Sequence, residues 1–153
     1  MKIENYKHSI KETVKFHEVD LLGVCNNAVY FSYFEDARIK YLQDLQKNYN
    51  LTQMIDGFST FLMARNECDY MEPALFDDEL NVYTRIEFIK NSSFGFRHIV
   101  ENNKTKRIHA AGGGVFVYLN HKTRTKLPLP EEFYEAVKQF EYSVDILRNN
   151  QKD

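Results

Sequence analysis

Tryptophan is missing from this 153-residue chain, and cysteine occurs only twice. Neither Cys25 nor Cys68 sits in a C-x-x-C pair or at a metal-ligand spacing, which argues against a disulfide framework or a zinc site. An excess of one charge is missing too. The formal net charge is −2, and Lys and Arg are scattered, so no electrostatic case exists for a nucleic-acid or anionic-membrane partner. No apolar run approaches the length of a membrane span, and the opening stretch MKIENYKHSIKETVKF lacks the apolar centre of a secretory signal. A cytoplasmic protein is the expectation. No repeat, low-complexity segment or long linker divides the sequence, so one domain over residues 1–153 is expected. What the chain has in abundance is rings. Ten Tyr and twelve Phe accompany an apolar content of 43%, enough for a large aromatic core or a sizeable subunit interface.

The order of elements reads β–α–β–β–β–β–α. Ser9–His17 alternates loosely and predicts a strand. A helix is expected from about Asn27 to Asn48, with Asn26 as N-cap and Tyr30, Phe34, Ala37, Tyr41 and Leu45 on one stripe. Its first half is apolar nearly all round, which implies burial on more than one side. Strands are expected at Phe61–Tyr70, Glu79–Ile89, Phe94–Glu101 and Arg107–Leu119. In the second of these, Leu80, Val82, Thr84, Ile86 and Phe88 share a face. Asn91-Ser92-Ser93 and Glu101-Asn102-Asn103-Lys104 are short enough for antiparallel hairpins. A second helix is expected over Glu131–Leu147. This is an α+β pattern: one antiparallel sheet curved around a long helix, with an additional C-terminal helix. An exposed sheet edge and many rings favour pairing with a second copy.

The segment FHEVDLLGVCNNAVYFSYFEDARIKY, Phe16–Tyr41, carries the chemical signal. Asp20 precedes the turn glycine Gly23, and Asn26-Asn27 lead into the helix. A carboxylate beside a helix start faces unpaired N–H groups and a partial positive charge, which together polarise a carbonyl. By itself an Asp-x-x-Gly segment is more often a simple turn cap.

This stretch resembles the hotdog-fold acyl-CoA thioesterases, in the branch typified by 4-hydroxybenzoyl-CoA thioesterase. Asp69-Tyr70-Met71-Glu72-Pro73-Ala74 and the closing strand with its proline turn, Val115–Pro130, extend the likeness more weakly. The resemblance implies hydrolysis of a fatty or aromatic acyl group from coenzyme A, or sometimes from acyl carrier protein. It implies a homodimer or homotetramer with active sites at the subunit interface, and no cofactor beyond the coenzyme A of the substrate. Asp20 aligns with the catalytic aspartate as general base or nucleophile. Asn27 aligns with the residue whose backbone N–H meets the thioester carbonyl. Gly23 would let the loop bend beside the substrate.

Other residues compete. Glu35 stands beside Phe31, Ile39 and Leu42, and another hotdog branch places its acid on this helix; an ion pair with Arg38 or Arg65 is the plainer role. Cys25 near the helix start suits a thiolate, with His17 as a base in principle, but a small packing residue is the simpler reading. Tyr30, Tyr33, Phe34, Phe61 and Met63 serve equally as acyl channel or core. Arg65, Lys90 and Arg97 are available for the coenzyme A phosphates. Gly112-Gly113-Gly114 interrupts a strand and reads as space for the helix, not as a phosphate loop. His98 and His109 read as structural. A hotdog dehydratase or hydratase would pair the Asp with a His a few residues on; position 25 is Cys, and no histidine follows Asp20 until His98. A non-catalytic acyl-CoA-binding module is the third possibility.

Overall fold

The computed structural model describes residues 2–49, 51 and 59–148. Strand β1 (His8–Thr13) leads through a short 3-10 turn, Phe16–Glu18, to the 21-residue helix α1 (Val29–Tyr49). Strands β2 (Ser59–Tyr70), β3 (Glu79–Ile89), β4 (Ser93–Asn102) and β5 (Ile108–Asn120) follow. Helix α2 (Glu131–Phe140) and the two-residue strand β6 (Asp145–Ile146) close the described chain. The sheet runs β1-β3-β4-β5-β2 with antiparallel neighbours throughout, and β6 joins β3 in parallel. The hotdog arrangement expected from the sequence is therefore present.

Four details differ from the sequence reading, each for a local reason. β1 stops at Thr13 and not His17, because the Val14 N–H donates to Asp78 O at 3.0 Å and the chain turns into the 3-10 segment. α1 begins at Val29 and not Asn27, since Asn26 Oδ1 accepts the Ala28 N–H at 3.0 Å and forms a turn ahead of the helix. The last helix ends at Phe140 and not Leu147. There the backbone turns extended at Glu141, whose carboxylate accepts hydrogen bonds from the Tyr41 hydroxyl and, at 3.1 Å, from the Ile86 N–H. Asp145 and Ile146 then pair with Phe88 and Ile89. Finally, a bulge between Ile86 and Phe88 breaks the alternation of β3. Ile89 takes the core place expected for Phe88, whose ring lies instead where a side chain at Gly95 would stand.

Helix α1 is built more by burial than by propensity. Its first turns hold Val29, Tyr30, Phe31, Tyr33 and Phe34, residue types that each cost up to about 0.7 kcal/mol relative to Ala in a helix. Burying one such side chain returns roughly 1.5–3 kcal/mol, so packing decides. Tyr30, Tyr33, Phe34, Ala37, Tyr41 and Leu45 are all buried, as the stripe predicted, with Tyr33 added beside it. The first half packs with Val14, Leu80, Val82, Val100 and Ala110; the second half packs with Ile86, Phe94, Phe96 and the apolar face of α2.

The helix comes close to the sheet at one point. The Phe34 ring stacks on His98 with 4.5 Å between centroids and 10° between planes. Opposite His98 in register stands Gly112. A Cβ there would lie 2.8 Å from the Phe34 ring and 2.2 Å from the Glu67 carbonyl oxygen. Of the glycine run, then, Gly112 supplies the space for the helix.

Two stability predictions follow from this packing. Gly112→Ala should lower the unfolding free energy by about 1–3 kcal/mol in urea titrations, by overpacking against backbone as well as ring; an unchanged midpoint would show that the helix does not need this gap. The second concerns Glu12 on β1. Burial, and then its hydrogen bond to Asp36 of α1, raises its pKa from 4.5 to about 7. The folded state thus holds a proton that the unfolded chain releases, so the contribution is complete below pH 4.5 and is lost as pH rises through about 7. Glu12→Gln should flatten the fall of the urea midpoint between those two pH values; a slope unchanged by the substitution would exclude Glu12 as its source.

Candidate active site

The loop between the 3-10 turn and α1 is a tight, strapped structure. Val19 bridges Cys25, the Asp20 N–H donates to Val24 O at 2.9 Å, and the Gly23 N–H donates to Asp20 O at 3.0 Å. Gly23 has φ +79°, a left-handed conformation that a side chain would strain. Two further bonds tie the loop down: Cys25 N–H to Ala74 O at 2.8 Å, and Asn26 N–H to Glu18 O at 2.8 Å. Asp20 is solvent-exposed, and its Oδ1 accepts the Leu22 N–H at 2.8 Å and the Val24 N–H at 3.4 Å. This is the turn-capping geometry of the plainer reading. It also fixes the carboxylate's orientation, and among the described residues Oδ2 makes no hydrogen bond.

Asn27 follows at the helix start. Its carbonyl accepts the Tyr70 hydroxyl at 2.9 Å, while its N–H has no partner among the described residues. Asn27, Cys25, Tyr30, Tyr70 and His109 border a cavity of about 200 Å³. His109 is locked within it: Nδ1 lies 2.7 Å from Glu72 O and Nε2 3.2 Å from Asn102 Nδ2, so Nδ1 carries the proton and Nε2 accepts. Both ring nitrogens are engaged, in line with a structural role. Burial raises the pKa of the Cys25 thiol, and the nearby Tyr33 hydroxyl donates to Glu18 at 2.8 Å. The thiol environment therefore disfavours a thiolate despite the helix start.

A second cavity, of about 420 Å³, lies under the middle of α1. Ile39, Leu42, Phe61, Met63, Phe94 and Phe116 supply apolar wall, and Glu35 and Arg38 are its charged members. Glu35 is exposed and Arg38 is only 6% exposed, so the glutamate marks the open side and the arginine the floor. No ion pair joins Glu35 to Arg38 or Arg65 among the described residues; Arg65 pairs instead with Glu67 at 2.9 Å.

A third cavity, of about 260 Å³, brings Arg65, Lys90 and Arg97 together. Arg97 alternates with the helix-facing Phe96 and His98, which puts it on the sheet's outer face. Glu67 pairs with both arginines, at 2.9 Å each, and Lys90 lies 5.7 Å from the centre of the Phe88 ring.

The residues singled out from sequence thus fall into three groups. Asp20 and Gly23 lie on the loop that precedes the helix, and Asn27 and Tyr30 border the cavity at its start. Glu35, Phe61 and Met63 share the long cavity, about 9 Å further along α1 counting from Val29. The three cations form the last group. Tyr33 and Phe34 are 1% and 0% exposed, belong to the core and border none of these cavities, in line with the core alternative for these two rings. Arg38 was missed as a cavity residue. The signal was available: position 38 falls one turn from both Phe34 and Tyr41, on the buried stripe.

The family model of the thioesterase-like superfamily matches residues 14–137. A putative esterase of Aquifex aeolicus is 30% identical over 90 residues, covering 59% of this chain and 69% of that protein. A crystal structure of a thioesterase complexed with coenzyme A and Zn from Thermus thermophilus superposes with TM-score 0.73 at 34% identity, over 90% of this chain and 97% of that one. The probable thioesterase YbaW of Escherichia coli has TM-score 0.73 at 22% identity, over 87% and 98%, and bears on the fold alone.

The thiol environments carry their own test. Burial raises the pKa of Cys25, and raises that of Cys68 to about 11. Ellman's reagent at neutral pH should therefore label both thiols more slowly in the native protein than in the urea-unfolded chain. Rapid native labelling of Cys25 would reinstate it as a candidate nucleophile.

Proposed function

This chain belongs to the thioesterase-like superfamily, and on that premise we propose that it hydrolyses an acyl-coenzyme A thioester to a free acid and coenzyme A. The observation that carries the reading is the strapped loop, which holds an oriented carboxylate, Asp20, and an unused N–H, Asn27, on one rigid segment at the start of α1. In the reaction proposed, Asp20 takes a proton from water as the water attacks the thioester carbon. The Asn27 N–H, reinforced by the helix end, stabilises the oxygen that becomes negative. The C–S bond then breaks and the coenzyme A thiolate leaves. A thiolate is a good leaving group, so one carboxylate and one donor suffice without a triad.

The free outer edge of β2 supports a homodimer. It has no strand partner among the described residues, and Leu62 on it is half exposed. Pairing two such edges would bring a second chain alongside the long cavity. Arg65, Lys90 and Arg97 are the proposed contacts for the phosphates of coenzyme A. Glu67 pairs with both arginines and Glu87 borders the same cavity, so the three cations outnumber the acids there by one.

A thiol-release assay over a panel of acyl-CoAs tests the assignment. Asp20→Asn should lower kcat by about 10²–10⁴ while leaving substrate binding largely intact. Glu35→Gln should retain a substantial share of turnover. The reverse ranking would transfer catalysis to the helix acid, and no thiol release by the wild-type protein would exclude hydrolysis of those thioesters.

A further inference from the structure

Tyr70 stands where the sheet meets the helix start, and the proposed hydrolysis has so far given it no part. Its hydroxyl donates to the Asn27 carbonyl at 2.9 Å, across 43 positions of sequence. Two other bonds orient the same segment, and both are local. The Val29 N–H donates to Asn26 O at 2.9 Å, and the Ala28 N–H donates to Asn26 Oδ1 at 3.0 Å. The Asn26 carbonyl and the Asn27 N–H belong to one planar peptide, and the Asn27 carbonyl belongs to the next. Holding both carbonyls sets the two planes that meet at the Asn27 Cα, and so fixes where its N–H points. A local bond holds the first plane. Among the described residues, the Tyr70 hydroxyl is what ties the Asn27 carbonyl. Tyr70 itself has little freedom. It closes β2 opposite Ala110 of β5, and the next two residues, Met71 and Glu72, donate their N–H groups to His109 O at 2.9 and 3.3 Å. Its ring meets that of Tyr30 edge to face, with 5.5 Å between centroids. Burial, and then the neighbouring Cys68, raises the pKa of the hydroxyl, so it keeps the proton that it donates.

We infer that Tyr70 is a positioning residue: its hydroxyl transmits the rigidity of the β2–β5 ladder to Asn27 and keeps the Asn27 N–H aimed at the oxygen that becomes negative. The inference rests on the proposed thioester hydrolysis and adds a residue to it. A donor fixed in advance needs no reorientation as charge develops, whereas a loosened one forfeits part of that benefit. Removing such a donor outright typically costs about 10²–10³ in rate, so loosening it costs less. Acting through Asn27 at the moment charge develops, the hydroxyl affects turnover and not the binding of the ground state.

Tyr70→Phe removes the hydroxyl and keeps the ring. With an acyl-CoA that the wild type hydrolyses, it should lower kcat by about three- to thirty-fold and leave KM within about twofold. The urea midpoint should stay where it is, because the bond lies at the surface. An unchanged kcat overturns the assignment. So does a raised KM alone, or a fall in kcat matched by a lower midpoint, since either marks a binding or merely structural role. The second measurement needs no hydrolysis: amide nitrogen relaxation at Asn27 and Ala28. In the wild type both backbone order parameters should stand near about 0.85, and in Tyr70→Phe they should fall toward about 0.6. Order that survives the substitution overturns the assignment even where kcat falls, because the hydroxyl then acts by another route. An Asn27 amide already mobile in the wild type overturns it with no variant needed, so the test holds should Tyr70→Phe fail to fold. If the wild type releases no thiol from any thioester but order falls on substitution, the brace on Asn27 stands and the hydrolase reading fails.

Discussion

Phe34 lies flat on His98 above a strand position, Gly112, from which no side chain projects. That close approach fixes the height of α1 over the sheet, and the rest of the molecule is set by it. One end of the helix delivers the Asn27 N–H to the strapped loop. The middle delivers Arg38 and Glu35 to the long cavity. The far end is held by Tyr41, whose hydroxyl meets the Glu141 carboxylate where α2 ends. A helix seated higher would open the core beneath Phe34 and separate Asn27 from the Tyr70 hydroxyl that now holds its carbonyl.

The polar groups in this frame divide by how much freedom they retain. His109 and Tyr33 have their side-chain polar groups committed to internal partners, and they serve as braces. Asp20 spends one oxygen on its own loop and keeps the other, and Asn27 spends its carbonyl and keeps its N–H. A group fixed through one atom and open through another is pre-organised without being saturated, which is the condition for acting on a substrate.

Much of this was legible in the sequence, for reasons that can be named. The stripe on α1 and the alternation along β3 and β4 are direct consequences of helix and strand periods, and they placed the core correctly. The Asp20–Asn27 spacing predicted a capped turn running into a helix, and that turn is present. The errors arose where a long-range partner overrode a local pattern. Val144 and Leu147 continue a helical period, but β3 offers backbone partners to Asp145 and Ile146, and the ladder prevails. Phe88 keeps strand alternation on paper, but the bulge after Ile86 moves Ile89 into its place. The sharing of Glu67 by Arg65 and Arg97 depends on neighbouring strands that no local window reveals.

The separation between the loop group and the cation group has a consequence for assembly. Asp20 and Asn27 lie at one end of α1, whereas Arg97 faces outward from the opposite side of the sheet. An extended substrate that touched both within one chain would have to pass through the layer formed by β4 and β5. In the proposed homodimer a second copy at the unpaired edge of β2 would offer contacts from another chain, so the substrate need not span both groups of one subunit. On the reading proposed above, carboxylate and phosphate contacts would come from different subunits, and dimer formation would then be a condition of activity and not merely of stability.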